Sequence, residues 1–180
     1  NSTLCYGSSA VVTATGGTSY TWTPATFLNN AFVGSPTASP PATTIYTVQI
    51  INNTPGYNCG KTVTTQVQVL PTPTTGFTFS QNPCGGDVRF YDTSSDDAIA
   101  WFWTLSPSLT SSVQNAYSFY KSGGTYTISL VTTNSYGCKN QHDTLLTIPT
   151  PPPVTVNTNT AICRGNSAQL NASGGIAYDW

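Results

Sequence analysis

Short stretches in which β-branched or aromatic residues alternate with polar ones recur along the chain, separated by clusters of Gly, Pro, Asn, Asp and Ser. Period-two alternation places successive side chains on opposite faces of an extended strand. In the first part of the chain it predicts strands at "SAVVTAT" (9–15), "SYTWT" (19–23), "TTIYTVQII" (43–51) and "KTVTTQVQVL" (61–70). Further on it predicts "TGFTFS" (75–80), "DVRFYDT" (87–93), "AIAWFWTL" (98–105), "VQNAYSFY" (113–120), "GTYTISLVTT" (124–133) and "DTLLTI" (143–148). No segment carries a helical period over a useful length. The prolines of "SPTASPP", "PTPTT" and "PTPPP" fall between strands, where a missing N–H does not interrupt a ladder. Units of this size with about seven short strands predict an all-β fold of tandem Ig-like β-sandwich modules in a linear array.

The cysteines define the units. They stand at 5, 59, 84, 138 and 163, with separations of 54, 25, 54 and 25, so one spacing pattern repeats along the chain. Trp22, Trp101 and Trp180 follow Cys5, Cys84 and Cys163 at one common spacing, and Pro71-Thr72-Pro73 returns as Pro149-Thr150-Pro151. The start "LCYGSSAVVTATGGTSYTW" and the end "ICRGNSAQLNASGGIAYDW" align without a gap, sharing Gly7/Gly165, Gly16/Gly174, Tyr20/Tyr178 and Trp22/Trp180 among others. The division is 1–72, 73–150 and an incomplete third unit, 151–180. That third copy breaks off before its tyrosine strand and the partner of Cys163, which predicts that these residues are a window on a longer polymer.

Within this frame the expected disulfides are Cys5–Cys59 and Cys84–Cys138, with Cys163 joined to a cysteine beyond residue 180. Pairing Cys59 with Cys84 across the proline linker is the alternative, and it leaves Cys5 and Cys138 without obvious mates. A loop of the in-unit length would contribute about 4 kcal/mol by chain entropy. That is substantial for modules this small, whose cores are marginal. Disulfides also imply an oxidising, extracellular or cell-surface location. The in-unit pairing would clip one end of each sandwich, tying the second strand's start to the final hairpin. Tyr57 and Tyr136 lie two residues before a cysteine, the spacing of a tyrosine corner, but both follow turn-rich stretches. Tyr46 and Tyr126, opening the strands "YTVQII" and "YTISLV", are the better corner candidates. Trp22, Trp101, Trp103 and Trp180 are expected to point into the cores, together with Tyr46 and Tyr126.

Composition narrows the function. Only 6% of the 180 residues are charged and the net charge is −1, with polarity supplied by Thr, Ser and Asn. That excludes the basic footprint of a nucleic-acid binder, and there is no Lys/Arg cluster for anionic lipid. At 38% hydrophobic and 12% aromatic the chain can build a core. No apolar run is long enough for a membrane span, so membrane insertion is not expected.

The second unit, "VRFYDTSS…AWFW…YSFYKSGGTYTISLVTTNSYGC", resembles the PKD domain pattern. The shared features are an apolar strand entering a D-T-S turn, a W-x-W strand, then Y-x-x-x-G-x-Y-x-I-x-L and a late Asn. The first unit, with "C-x-G…GG-x-x-Y-x-W-x-P" and a later "P-x-x-x-x-x-Y-x-V", resembles the Ig-like repeats that alternate with PKD domains in very large secreted proteins of gliding and adhesive Bacteroidota. The resemblance implies a gliding-motility adhesin or filament exported by the type IX secretion system. One departure stands out: the family continues its W-x-W strand as W-D-F-G-D-G, whereas Trp103 is followed by "TLSPSL". Ion contacts or turn geometry that depend on those aspartates are in question here.

Catalytic chemistry has little foothold. His142-Asp143 is the only place where a histidine adjoins a carboxylate, and it reads as a solvated strand start. Asp96-Asp97 and Asp87/Asp92 lack the D-x-D-x-D spacing of a calcium loop and read as turn residues. A zinc site is not expected, and neither is any cofactor. "AWFW" could offer a sugar-stacking face, but alternation puts Trp101 and Trp103 together on the core side with Phe102 opposite. Asp143-Thr144-Leu145 matches a D-S/T-apolar O-glycosylation pattern at Thr144, and Asn52-Asn53-Thr54 matches an N-glycosylation sequon. Together these readings predict a non-enzymatic stretch of a long extracellular adhesin or filament. Its expected partners are further repeats, surface glycans or substratum, copies of itself through lateral association, and secretion and motility machinery. The alternative is a spacer or sugar-binding accessory region of a secreted polysaccharide-degrading enzyme.

Overall fold

The computed structural model describes residues 1–54, 57–82, 86–150, 153, 155–156, 161–174 and 179. Among them there is no helix; every regular element is a strand. The first unit runs β1 (Ser2–Cys5), β2 (Ala10–Val11), β3 (Ser19–Thr23), β4 (Thr37–Ala38), β5 (Thr44–Thr54) and β6 (Tyr57–Leu70). The second runs β7 (Phe77–Gln81), β8 (Asp87–Asp92), β9 (Ala98–Ser106), β10 (Leu109–Ser111), β11 (Tyr117–Phe119), β12 (Gly124–Asn134) and β13 (Lys139–Ile148). A short pair, β14 (Thr155–Val156) and β15 (Ala172–Ser173), follows.

The second unit is a seven-stranded sandwich of two sheets, β10-β9-β12-β13 and β11-β8-β7, the strand partition of an Ig-like domain. Val88 and Phe90 on one sheet meet Trp103, Leu105, Ile128, Leu130 and Leu146 on the other, all without exposed surface. Alternation sets this up: on β8 the outward Asp87, Arg89 and Tyr91 separate the inward Val88 and Phe90. Burying an aliphatic or aromatic side chain of this kind contributes about 1.5–3 kcal/mol.

In the first unit β1-β6-β5-β3 forms one sheet and the two-residue strands β2 and β4 the other. The ladder on "SAVVTAT" covers only Ala10–Val11; beyond it the Val12 and Ala14 N–H groups donate to the Pro36 and Gly34 carbonyls at 3.0 and 2.7 Å, but Pro36 has no N–H to return a bond. Trp22, Tyr46, Val48 and Val67 form the core with Leu4, Val12 and Ala38. The alternation pattern does not predict β1, β4 or β10, each of which is too short to show a period.

β1 fixes the geometry that matters most. It lies parallel to β6, with Ser2 opposite Val67 and Cys5 opposite Leu70, so Cys5 sits where the first unit hands over to the second. Cys59 lies eleven residues away on the same β6, in the β5–β6 hairpin opposite Asn52. At 3.3 Å per residue that is about 36 Å, far beyond the roughly 7 Å Cα separation a disulfide can bridge.

The candidate functional site is the junction of the two units

The disulfide joins Cys5 to Cys138, with Cα atoms 5.5 Å apart and 133 residues between them in sequence. This overturns the expected Cys5–Cys59 pair, and with Cys138 taken, the Cys84–Cys138 pair as well. The reason is the parallel β1–β6 pairing, which carries Cys5 to the end of its unit opposite the hairpin that holds Cys59. Cys59 is a free, exposed thiol, as is Cys163. Cys84 lies outside the described residues.

Each side of the bridge is built by local turn chemistry. Cys5 ends β1 and opens a turn in which the Ser8 N–H donates to the Cys5 carbonyl at 3.0 Å, with Gly7 at φ +82 where L side chains are strained. The Tyr6 N–H donates to the Leu70 carbonyl at 2.8 Å, pinning this turn to the end of β6. Cys138 closes the β12–β13 hairpin and is fully buried. Asn134 organises that hairpin: its Oδ1 accepts the N–H groups of Tyr136 and Cys138, both at 3.1 Å, and Gly137 takes φ +78.

The same Asn134 side chain reaches the linker. Its Nδ2 donates to the Pro71 carbonyl at 2.9 Å and to Asp97 Oδ2 at 3.3 Å, while Asn140 Nδ2 donates to the Pro73 carbonyl at 3.0 Å. Further along, the Thr75 and Thr132 hydroxyls meet at 2.5 Å in a buried contact. The Thr74 N–H donates to the Ser95 hydroxyl and the Thr74 carbonyl accepts the Ser95 N–H, both at 2.9 Å. The Gly76 carbonyl accepts the Thr93 N–H. "PTPTT" is thus not a free extended spacer. Its carbonyls and hydroxyls are bound along the second sandwich, and the disulfide ties the first unit's exit to the same place. Chemically the junction ties the two units by one covalent bond and binds the linker backbone to the second unit.

The remaining sites fall into place around it. Trp103 is fully buried and donates from Nε1 to the Val113 carbonyl at 2.9 Å; Trp22, nearly fully buried, donates to the Val33 carbonyl at the same distance. Trp103, not Trp101, is therefore the counterpart of Trp22, because the segment from Cys84 to the core tryptophan is two residues longer in the second unit. Trp101 only packs against the edge of the core and donates to Asp92 Oδ2 at 2.7 Å. Phe102 faces outward. A sugar platform on "AWFW" fails on the burial of Trp103.

Tyr126 makes the tyrosine-corner bond, its hydroxyl donating to the Ser122 carbonyl at 2.9 Å four residues upstream. Tyr46 does not: it is a core residue whose hydroxyl reaches the Thr26 carbonyl at 3.3 Å, and desolvation pushes its pKa up. Tyr136 is exposed. Trp180 and the side chain of Tyr57 lie outside the described residues.

The carboxylates serve turns. Asp92 Oδ1 accepts the Ser94 N–H at 3.0 Å, and its Oδ2 accepts Trp101 and, at 3.1 Å, Gln114. Desolvation works to raise the Asp92 pKa, but the bonds from Ser94, Gln114 and Trp101 together hold it below the ordinary value. Asp97 accepts the Ser95 hydroxyl at 2.5 Å and, with the Asn134 bond, is likewise held low. Asp87 accepts the Tyr117 hydroxyl at 2.5 Å, which raises the tyrosine pKa. Among the described residues no three His, Cys, Asp or Glu side chains are grouped closely enough to hold a metal ion.

His142 and Asp143 occupy opposite faces of β13. The imidazole lies edge-on to Phe77 with its ring centroid 5.4 Å away and shares a 3.2 Å contact with Thr144 Oγ1. Asp143 turns to Gln141, and Ser129 and Gln141 lower its pKa. Thr144 is half-buried opposite Ile128, with its hydroxyl making the exposed contact to His142. Asn52 and Asn53 sit on β5 beside its hairpin.

Sequence reasoning missed Asn134 as a functional residue, although the late Asn of the PKD-like pattern was its signal. It also missed β1, whose only trace was the short "STLC" before the first turn. Comparison with solved structures gives weak overall likenesses. The PKD1 domain of Vibrio anguillarum Epp has a TM-score of 0.41 at 23% identity, covering 44% of this chain and 96% of that one. The PKD1 domain of the Vibrio cholerae metalloprotease PrtV also has a TM-score of 0.41 at 23% identity, covering 44% and 99%. The amphioxus IgVJ-C2 molecule has a TM-score of 0.36 at 12% identity, covering 81% and 99%. No curated protein matches the chain. Residues 71–148 match the model of the PKD domain family.

Proposed function

We propose that this chain is a non-catalytic, structural and adhesive segment of a long extracellular cell-surface filament, of the SprB-like gliding-motility adhesin type carried by the type IX secretion route. The observation that supports this most is the junction: a disulfide and a hydrogen-bonded linker hold consecutive sandwiches together at one place. A rod that must stand off a surface and take load needs such fixed joints, whereas a tether that only links domains does not. The sequence period extends the same logic to neighbouring units. A chain with only 6% charged residues loses little grip when salt screens it and lacks the like-charge repulsion that would keep parallel copies apart.

The test is to raise antibody to the two units, label intact cells and score surface attachment and gliding before and after in-frame deletion of the segment. Surface labelling on extended fibres, with attachment or gliding lost on deletion, is the expected outcome. Labelling confined to a soluble secreted enzyme would refute it.

A second reading, an accessory sugar-binding region of a secreted polysaccharide-degrading enzyme, has one observation in its favour. On the outer face of β8 and β11 the exposed rings of Tyr91, Tyr117 and Phe119 surround Arg89, whose guanidinium lies 5.6 Å from the Tyr117 ring centroid. Glycan-array binding that disappears in Tyr117→Ala while the melting curve is unchanged would favour that reading over the first.

A further inference from the structure

The bridge between the units uses two cysteines that occupy non-equivalent positions in the repeat. Cys5 leads its unit, at the end of β1. Cys138 sits in the hairpin between the last two strands of the next unit. The remaining cysteines repeat these two places. Cys59 is the equivalent of Cys138 one repeat earlier and, like it, lies in the final hairpin. Cys84 is the equivalent of Cys5 one repeat later, and Cys163 its equivalent two repeats later. The equivalence of Cys163 with Cys5 is visible in the backbone as well. The Cys163 carbonyl accepts the Asn166 N–H at 3.0 Å, as the Cys5 carbonyl accepts Ser8, and Gly165 takes φ +94 where Gly7 takes +82.

We infer that Cys5–Cys138 is one rung of a recurring ladder, in which the leading cysteine of each unit is joined to the hairpin cysteine of the unit after it, 133 residues downstream. This rests on the reading of the chain as a segment of a longer array. Cys84 and Cys163 then reach forward to hairpin cysteines of following units, and Cys59 reaches back to the leading cysteine of a preceding one. Geometry forbids the in-unit alternative, since Cys5 and Cys59 sit about 36 Å apart along β6. It favours the forward rung because a unit's exit and the next unit's final hairpin both meet the docked linker. It also accounts for two exposed free thiols, which in an oxidising setting are the mark of pairing outside the segment in view.

Formation of each rung removes two protons and two electrons from two thiols, and these pass to a disulfide-bearing oxidant of the thiol–disulfide oxidoreductase class. One cysteine thiolate attacks the oxidant's disulfide, forming a mixed disulfide and releasing one oxidant thiol. The second cysteine thiolate attacks the protein sulfur of that mixed disulfide and expels the other oxidant thiol, leaving the rung and a reduced dithiol.

The experiment is disulfide mapping of the native full-length chain, alkylated before unfolding and digested without reductant. The expected linked peptides join Cys5 to Cys138, Cys84 to a cysteine the same distance downstream, and Cys59 to one the same distance upstream. A Cys59–Cys84 link, or alkylated Cys59 and Cys163, would overturn the ladder. The same digest reports whether further units flank the segment, which separates the two ideas. Further units with other pairings sink the ladder and leave the array, whereas no further units sinks both. Cys138→Ser in the full chain should expose Cys5 to alkylation and leave every other link in place; reshuffling of the remaining links would also count against the ladder.

Discussion

Length under tension separates the observed bridge from the pairings it displaces. Cys5–Cys138 encloses 133 residues, so a chain pulled from its two ends cannot release that stretch while the bond is intact. Replacing both cysteines, Cys5→Ala with Cys138→Ala, should release about 460 Å of additional contour at roughly 3.5 Å per residue. The displaced Cys5–Cys59 and Cys84–Cys138 bonds would each hide only about 190 Å by the same measure, released as two separate steps. The thermodynamic effect is less discriminating. With the first unit folded, Cys5 is held against Leu70, so the second unit unfolds inside a closed loop running from there to Cys138. Chain entropy then contributes about 4 kcal/mol to the second unit, close to what an in-unit bond would give. The assay is therefore force–extension of single molecules of the chain with handles at both ends, with and without reductant. Reduction is expected to add the longer of these two contour increments. Steps matching the shorter one would refute the inter-unit bridge and the topological argument from β1.

Three further outcomes follow from the same contacts. Asn134→Ala strands the Pro71 carbonyl and the Cys138 N–H, and should cost about 2–3 kcal/mol in denaturant unfolding of the second unit; a cost under about 0.5 kcal/mol would show the junction is not organised by this side chain. Gly86→Ala drives a Cβ into the Tyr120 backbone at the buried β8–β11 edge, and should destabilise by about 3 kcal/mol through backbone displacement, read by thermal melting against a Gly7→Ala control that meets no neighbour but carries a strained positive φ. Asp92 is held below its ordinary value of 3.8, so its contribution is complete above that pH and is lost as pH falls through the lower folded value. The melting temperature of the second unit should drop as the pH falls below 3.8, and Asp92→Asn should flatten that drop; an unchanged acid limb in the variant would contradict the assignment.

The strands of the second unit other than the three-residue β10 were legible because each carries its own alternation. β8 and β12 read inward and outward without help from their neighbours, as does β3 in the first unit. What was not legible depends on pairing between distant segments. β1 is four residues with no clear period, and its position comes entirely from the far end of β6. Cysteine spacing is blind to which end of a strand a residue occupies, so a true sequence repeat led to the wrong partners. The repeat also misassigned the core tryptophan, since two extra residues precede Trp103 and the cysteine register skips over them. Tyr126 and Tyr46 look alike in sequence, yet only the first has a carbonyl four residues upstream within reach of its hydroxyl.

The ring closed by Cys5 and Cys138 has a consequence for degradation. It contains the whole linker and most of both sandwiches, so one cut by a protease at an exposed loop such as 107–108 leaves the pieces covalently joined. Because the ring is longer than one repeat of the sequence, rings set one repeat apart would overlap like shingles. Every peptide bond in the interior of such an array would then lie within at least one ring. A filament built this way would survive single nicks at its surface intact, run at full length on a non-reducing gel, and fall into fragments only when the disulfides were reduced.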